Sequence, residues 1–353
     1  MERINSILII NLGGIGDVLL SAPALKAIRQ RYPLARISLM IIPRVREAVK
    51  NEPYIDEIII FNTHFTFAGA LENLRTLMKL RGMRFDLAVN MRTLVSGFGA
   101  AKIKFLLDMI RPRLKAGRDT DKRGAFFDIR IEETTLGDKY EMDYDIDMAE
   151  ALGAKVTDRS IELKVDRKSL ERVKGLLRDS GASLGETLVG IHMGGKPSHR
   201  WPAGYFLEFM KMVNAKLPCR FLVTGEDAGH DLLVGMAKNA GLEIINMANR
   251  LDFKELVAMI SLCRLCVYND TGPMHIAAAL GRPLVAIFGP GYLTRFDPRR
   301  ISKRAAVLYN KADCAPCDKR SCISMKCLKS IQPEEALEMA LALLGKREER
   351  GQP

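Results

Sequence analysis

The sequence predicts an α/β protein of two Rossmann-like doubly wound domains facing a central cleft, and three features of the chain point to the paired α/β domains. Short β-branched runs alternate with amphipathic helical stretches, and apolar strands joined by crossover helices make a parallel sheet covered on both faces. The series starts afresh after a polar helical segment at 170–186, so a second sheet follows the first. The length, 353 residues, is more than one compact core usually holds.

The first half reads ILIIN (7–11) and a helix to about Arg31, then RISLMII (36–42) and a helix over Arg44–Lys50. EIIIF (57–61) with a helix near Ala68–Arg81 and DLAVN (86–90) with a helical stretch to Ile110 complete it. The second half has strands at 188–192, 219–225, 242–245, 264–270 and 283–289, with helices near 203–215, 229–240, 252–262 and 274–280. The terminal PEEALEMALALLGKREER has Pro333 at a helix start, acids in the first turn and bases in the last, which suits the helix dipole. The expected division is 1–165, 166–330, and a helix over 331–353 packing back toward the N-terminal domain. The link between the two domains falls within 150–187. No internal repeat or low-complexity tract interrupts the pattern.

Composition narrows the class. With 48% hydrophobic and 27% charged residues the chain can bury large cores, which excludes disorder. It has no apolar run of membrane-spanning length, and MERINSILII runs into a strand-like segment instead of a signal peptide, so a cytosolic protein is expected. The net charge of +12 is spread over both halves of the chain with local concentrations at 92–123 and at 295–304, and such surfaces favour nucleic acid, anionic membrane or phosphorylated substrates. Aromatics are few and no recognition helix is visible, which argues against nucleic acid.

Open α/β sheets bind ligands at the C-terminal ends of their strands, and the unusual segments lie there. After the first strand comes NLGGIGDVLLSAP. A dinucleotide loop needs a third glycine, where Leu19 stands, and an acid near the end of the second strand, which ends IIPR. The glycines Gly13, Gly14 and Gly16 therefore serve close approach of backbone to a ligand, and Asp17 sits at the mouth of the next helix. Its plain role is a cap, and its functional role is a carboxylate presented to substrate.

In the second half, HMGGKPSHRWP puts Lys196, His199 and Arg200 in a glycine-loosened loop, which suits a phosphate or is simply a basic loop packed by Trp201. YNDTGPMHIAAALGRP offers Asp270 and Thr271 as caps, with Gly272 and Pro273 opening a helix whose free N–H groups suit a diphosphate. His275 lies one turn in, toward the ligand or the packed interior. The series Cys314, Cys317, Cys322 and Cys327 has four thiols in a basic loop, either reduced thiols, a redox-sensitive staple, or a zinc or iron–sulfur site. Its spacing is not that of a common zinc ribbon.

NLGGIGDVLLSAPALKAIRQRYP, GIHMGGKPSHRWPAGYF and NDTGPMHIAAALGRPLVAIFGP, in this order, resemble the ADP-heptose:lipopolysaccharide heptosyltransferases of glycosyltransferase family 9, which have the GT-B fold. The likeness runs from about residue 6 to about 340, and the cysteine-bearing tail also resembles that of many members. It implies an inverting transfer of heptose from ADP-heptose to a hydroxyl of the lipopolysaccharide inner core, Kdo-lipid A or its heptosylated form, with Asp17 as general base and no cofactor.

The resemblance places the donor on Asp270, Thr271, Gly272, the Met274 backbone and His275. The family usually has Lys where His199 stands, so Lys196, His199 and Arg200 are the candidates for the phosphate clamp. Glu226 or Asp227 would meet the ribose. The acceptor is assigned to Gly13, Gly14, Gly16 and the basic stretch with Arg92, Arg118 and Lys122. The implied partners are ADP-heptose, a lipid A-linked acceptor and, transiently, the anionic inner face of the inner membrane, met by a cytoplasmic, peripheral monomer without nucleic acid. The alternatives are a GT-B enzyme using another nucleotide sugar, including an epimerase, and a nucleotide-binding protein without turnover.

Overall fold

The computed structural model describes residues 3–63, 67–135, 137–183, 185–225, 229–317 and 319–345. It divides into two compact units, Met1–Ile161 and Glu162–Pro353. The boundary lies inside the linking stretch read from the sequence.

The first unit runs β1 Ser6–Ile10, α1 Ile15–Arg31, β2 Arg36–Ile41, α2 Arg46–Val49, β3 Glu57–Ile60, α3 Phe67–Met83, β4 Leu87–Asn90, α4 Gly97–Ile110, β5 Leu114–Thr120, β6 Ile129–Glu133 and α5 Glu141–Ala151. The strands form one parallel sheet in the order β3-β2-β1-β4-β5-β6. Ile7 to Ile10 of β1 have no exposure at all, because the strand lies in the middle of a sheet covered on both faces. α1 is buried from Val18 to Leu25, and it packs against α5, with Tyr32 Oη donating to Leu152 O at 2.7 Å.

The second unit runs α6 Arg167–Asp179, β7 Leu188–His192, α7 Ala203–Lys216, β8 Arg220–Thr224, α8 Gly229–Asn239, β9 Ile244–Asn246, α9 Phe253–Leu262, β10 Leu265–Asn269, α10 Gly272–Ala279, β11 Leu284–Ile287, α11 Leu293–Phe296, β12 Ala305–Leu308, α12 Lys326–Lys329 and α13 Pro333–Gly345. Its sheet is ordered β12-β11-β10-β7-β8-β9. Traced from the β9 edge this is the winding of the first sheet, so each order reverses once, between β1 and β4 and between β7 and β10. Loops at such a reversal diverge and leave a crevice at the strand ends.

One expectation is corrected. The helix expected over 170–186 ends at Asp179, where Ser180 and Gly181, at φ +79°, turn the chain. The terminal helix α13 packs on α7, β11 and β12, and Ala336, Ala340 and Leu343 join the second unit's core. Its apolar face thus completes that core. Strands β5 and β6 and helix α5 lie where the sequence shows no strong periodicity, because each mixes charged with apolar residues, while β12 is only the four-residue apolar run AAVL.

Candidate active site

Each sheet carries its unusual residues at its reversal point. In the first unit, the loop after β1 delivers Asp17 and the loop after β4 delivers Arg92. Asp17 is the third residue of α1 and not its cap: Gly14 is the cap, and its N–H donates to Asp17 Oδ2 at 2.7 Å. A Cβ on Gly13 would lie 2.5 Å from the same oxygen, so only glycine lets the carboxylate fold back here. The other oxygen, Oδ1, pairs with Arg92 Nη1 at 2.5 Å. Asp17 keeps 17% of its side chain exposed and Arg92 27%, so the pair lies at the surface of the crevice.

Behind this pair is a buried ionic network. Arg92 Nη1 also meets Glu141 Oε1 at 3.1 Å, and Glu141 accepts from Arg118 Nη1 at 2.8 Å. Arg118 further pairs with Glu133 and Asp145, and its guanidinium lies over the Tyr144 ring, 5.2 Å from the centroid. Burial works against the Arg118 charge, and the carboxylates of Glu141, Asp145 and Glu133 more than offset it. Burial pushes the Asp145 carboxyl up to about 6, with Glu141 adding to the rise and Arg118 opposing it. Ser21 Oγ donates to Asp145 Oδ2 at 2.6 Å and accepts from Asn11 Nδ2 at 2.8 Å. The network thus returns to the strand and helix that flank Asp17.

This geometry corrects one assignment. Arg118 has no exposure and three carboxylate partners, so it braces the site from within and does not face an acceptor. Lys122 is exposed at φ +64° beyond the end of β5. Glu133, Glu141 and Asp145 escape a sequence reading because acids in IRIEE and EMDYDIDMAE look like solvent-facing residues. The hidden signal is Arg118 on a central strand, which demands buried acids.

In the second unit, the loop after β7 delivers Lys196, His199 and Arg200, and the loop after β10 delivers Asp270 to His275. Asn269, fully buried at the end of β10, ties the loops together by accepting from Trp201 N at 3.2 Å and donating to Gly194 O at 3.4 Å. α10 opens at Gly272, with extended Thr271 as its cap and Pro273 in the first turn. The Thr271 hydroxyl donates to Asn269 O at 3.1 Å and not into the helix end. A Cβ on Gly291 would sit 2.3 Å from Asp270 Oδ2 and 3.5 Å from His199 Nε2, so the Asp270 carboxylate, His199 and Gly291 crowd one spot.

The three basic candidates differ. Lys196 is exposed. His199 is 4% exposed, with Nδ1 3.0 Å from Ser198 Oγ. Arg200 donates to Gly195 O from Nε at 2.9 Å and from Nη2 at 2.7 Å, which fixes its guanidinium across the loop. His275 is buried, its ring 6.2 Å from that of Phe296, and Met274 is fully buried. Glu226 and Asp227 lie outside the described residues.

One residue was missed in the sequence. His192, the last residue of β7, sets Nδ1 2.9 Å from Thr224 Oγ1. Burial pushes its imidazole down to about 4, aided by the Arg200 charge. It is a neutral hydrogen-bonding group beneath the Gly194 loop.

The cysteines of the tail are unpaired thiols, with Cys314 exposed, Cys317 and Cys322 half-buried and Cys327 buried. Among the described residues no group of three or more His, Cys, Asp or Glu is placed to hold a metal ion. Among them, too, no helix is long and apolar enough to cross a membrane.

Residues 74–328 match the model of glycosyltransferase family 9 (heptosyltransferase). The chain is 27% identical over 297 residues to lipopolysaccharide heptosyltransferase 2 of Salmonella typhimurium, covering 80% of this chain and 82% of that protein. Its fold is similar to the structure of Escherichia coli ADP-heptose lps heptosyltransferase II, with TM-score 0.72 and 21% identity over 96% of this chain and 98% of that one. It is also similar to the glycosyltransferase family 9 structure from Veillonella parvula, with TM-score 0.75 and 21% identity over 98% of each chain.

Proposed function

The chain belongs to glycosyltransferase family 9, and from that premise we propose that it transfers heptose from ADP-heptose to a hydroxyl of the lipopolysaccharide inner core, with Asp17 as the general base. The observation that carries the reading is the Asp17–Arg92 pair at a sheet reversal. A carboxylate held by one backbone N–H and one guanidinium is oriented before substrate arrives, and its partial exposure leaves it within reach of a hydroxyl.

The reaction is a single inverting displacement. The acceptor oxygen forms a bond to the anomeric carbon while the bond to the diphosphate breaks, and ADP leaves with the electron pair. The acceptor proton passes to Asp17 as the oxocarbenium-like state develops. Diphosphate is a weak base, so it needs positive charge more than a proton. The N-terminus of α10 and Lys196, with Arg200 and His199 beside it, supply that environment. Asp270, Thr271, Gly272, the Met274 backbone and His275 hold the donor, and Glu226 or Asp227 its ribose. Gly13, Gly14, Gly16, Arg92 and Lys122 meet the acceptor. The scheme calls for no cofactor.

The first unit is the acceptor domain and the second the nucleotide-sugar domain on this reading. The protein works as a monomer at the cytosolic face of the inner membrane, touching anionic lipid transiently. The experiment is to incubate it with ADP-heptose and Kdo-lipid A, or the heptosylated acceptor, and follow ADP. Acceptor-dependent ADP release that is lost in Asp17→Ala supports the assignment. Release undiminished in that variant overturns the base, and tight ADP binding without transfer to either acceptor makes the protein a nucleotide binder.

A further inference from the structure

Eleven large apolar side chains are exposed among the described residues, and six of them gather at two neighbouring helices of the first unit. Leu71, Leu74 and Met78 lie along α3, while Val95 just before α4 joins Phe98 and Phe105 on it. Spacings of three, four and seven residues put Leu71, Leu74 and Met78 on one face of α3, and the spacing of seven puts Phe98 and Phe105 on one face of α4. The opposite faces, with Leu77 and Leu80 of α3 and Ala100, Leu106, Leu107 and Ile110 of α4, enter the same core cluster. Both exposed stripes therefore look outward from it. An apolar patch this concentrated on a folded surface marks an interaction site.

Its rim names the occupant. Residues 67–84 and 95–115 contain nine Lys or Arg and two acids, Glu72 and Asp108; Lys104 and Lys115 share Asp108, Lys79 pairs with Glu57 and Arg113 with Asp86, so the segments keep a positive excess after these pairs. Lys102 lies between the two phenylalanines in sequence, its Nζ 4.3 Å from the Phe98 ring centroid. A second copy of the chain would set one basic face against another, whereas an anionic lipid surface offers apolar depth and negative headgroups together.

We propose that the outer face of α3 and α4 is the surface on which the protein lies on an anionic bilayer, with Phe98 and Phe105 entering the acyl boundary and Lys102 and Lys104 among the headgroups. The inference rests on the lipid-linked acceptor proposed above for its purpose, since it would bring the acceptor domain to the layer in which that acceptor is anchored.

The test is flotation of the full chain with vesicles that contain no glycolipid. Binding is expected to phosphatidylethanolamine–phosphatidylglycerol vesicles, weakened by salt, and not to phosphatidylcholine vesicles. Phe98→Ser/Phe105→Ser should lower the partition about tenfold by removing the apolar contact. Lys102→Glu/Lys104→Glu should lower it by a similar factor of about ten or more. Both variants should keep wild-type circular dichroism and wild-type ADP release with a delipidated, water-soluble acceptor.

Unchanged flotation of the two variants overturns the proposal. So does a shift from dimer to monomer in Phe98→Ser/Phe105→Ser without a change in flotation, which would make the face a contact between copies. Because flotation needs neither donor nor acceptor, its outcome stands apart from that of the transferase assay.

Discussion

Arg92 Nη1 lies 2.5 Å from Asp17 Oδ1 while Gly14 N lies 2.7 Å from Asp17 Oδ2, so the two oxygens of one carboxylate are held by two different loops. Holding the helix end and taking a proton are separable roles. In Asp17→Asn the side-chain oxygen can still accept from Gly14, so turnover should fall about 10²- to 10⁴-fold with little change in melting temperature. Asp17→Ala should lose the same turnover and, in addition, about 1 kcal/mol of stability with the helix-end hydrogen bond. Equal stability of the two variants by urea unfolding would remove the helix-end role, and a fully active Asp17→Asn would remove the base.

Arg118 is expected to be a structural requirement. Arg118→Met leaves Glu133, Glu141 and Asp145 buried without their cation, a loss of about 3–5 kcal/mol. Lys122→Ala, on the exposed surface, should leave unfolding unchanged and act only on acceptor KM. If Arg118→Met proves as stable as the wild type and raises only acceptor KM, the residue faces the acceptor after all.

Asp145 gives the first unit a pH signature. Its carboxyl is raised to about 6 from an ordinary 3.8, so the folded state holds its proton more tightly than the unfolded chain. The stability this contributes is present below about pH 4 and is lost as pH rises toward about 6. The difference in unfolding free energy between wild type and Asp145→Asn should therefore shift against the wild type across that window and be flat above it. A flat difference from pH 4 to 7 would refute the assignment.

The fold was largely legible, because β1, β2, β7 and β11 are continuous apolar runs and their crossover helices are separated by plain turns. Asp17 and the segment 270–275 stood out through glycines and caps at strand ends, and Arg92 only as one base of the stretch 92–123. The network behind Asp17 was not, since a buried acid looks like a surface acid until its cation is placed. The polar strand LKAGRDT hid β5 for the same reason: its Arg118 is neutralised by residues up to 27 positions away in the chain. Trp201 and α13 show a third limit, because a contact such as Trp201 Nε1 donating to Ile331 O at 3.1 Å joins residues 130 apart.

His192 should titrate far below an ordinary histidine. Its pKa is lowered from 6.5 to about 4, so stability derived from the neutral ring is present above about 6.5 and is lost as pH falls toward 4. The ring's NMR resonances should stay those of neutral imidazole down to about pH 5. A midpoint near 6.5 would mean that the loop over β7 admits water.

For the donor, Lys196→Ala should raise the ADP-heptose KM about tenfold or more through loss of a charged contact to phosphate. Arg200→Ala is expected to weaken donor binding indirectly, because its two bonds to Gly195 O shape the loop. Crosslinked or isotope-edited contacts from the Arg200 guanidinium directly to the diphosphate would reverse the two roles.

The packing of α13 has a consequence for how the protein is made. The first unit contains all its strands by Glu133 and its last helix by Ala151, so it can fold while the ribosome is still extending the chain. The second unit cannot close its core until Ile331, Ala336, Ala340 and Leu343 have emerged, 155 residues after β7 begins at Leu188. During that interval the nascent chain exposes the surface that α13 will cover, and this is the stretch of synthesis in which a chaperone would be needed.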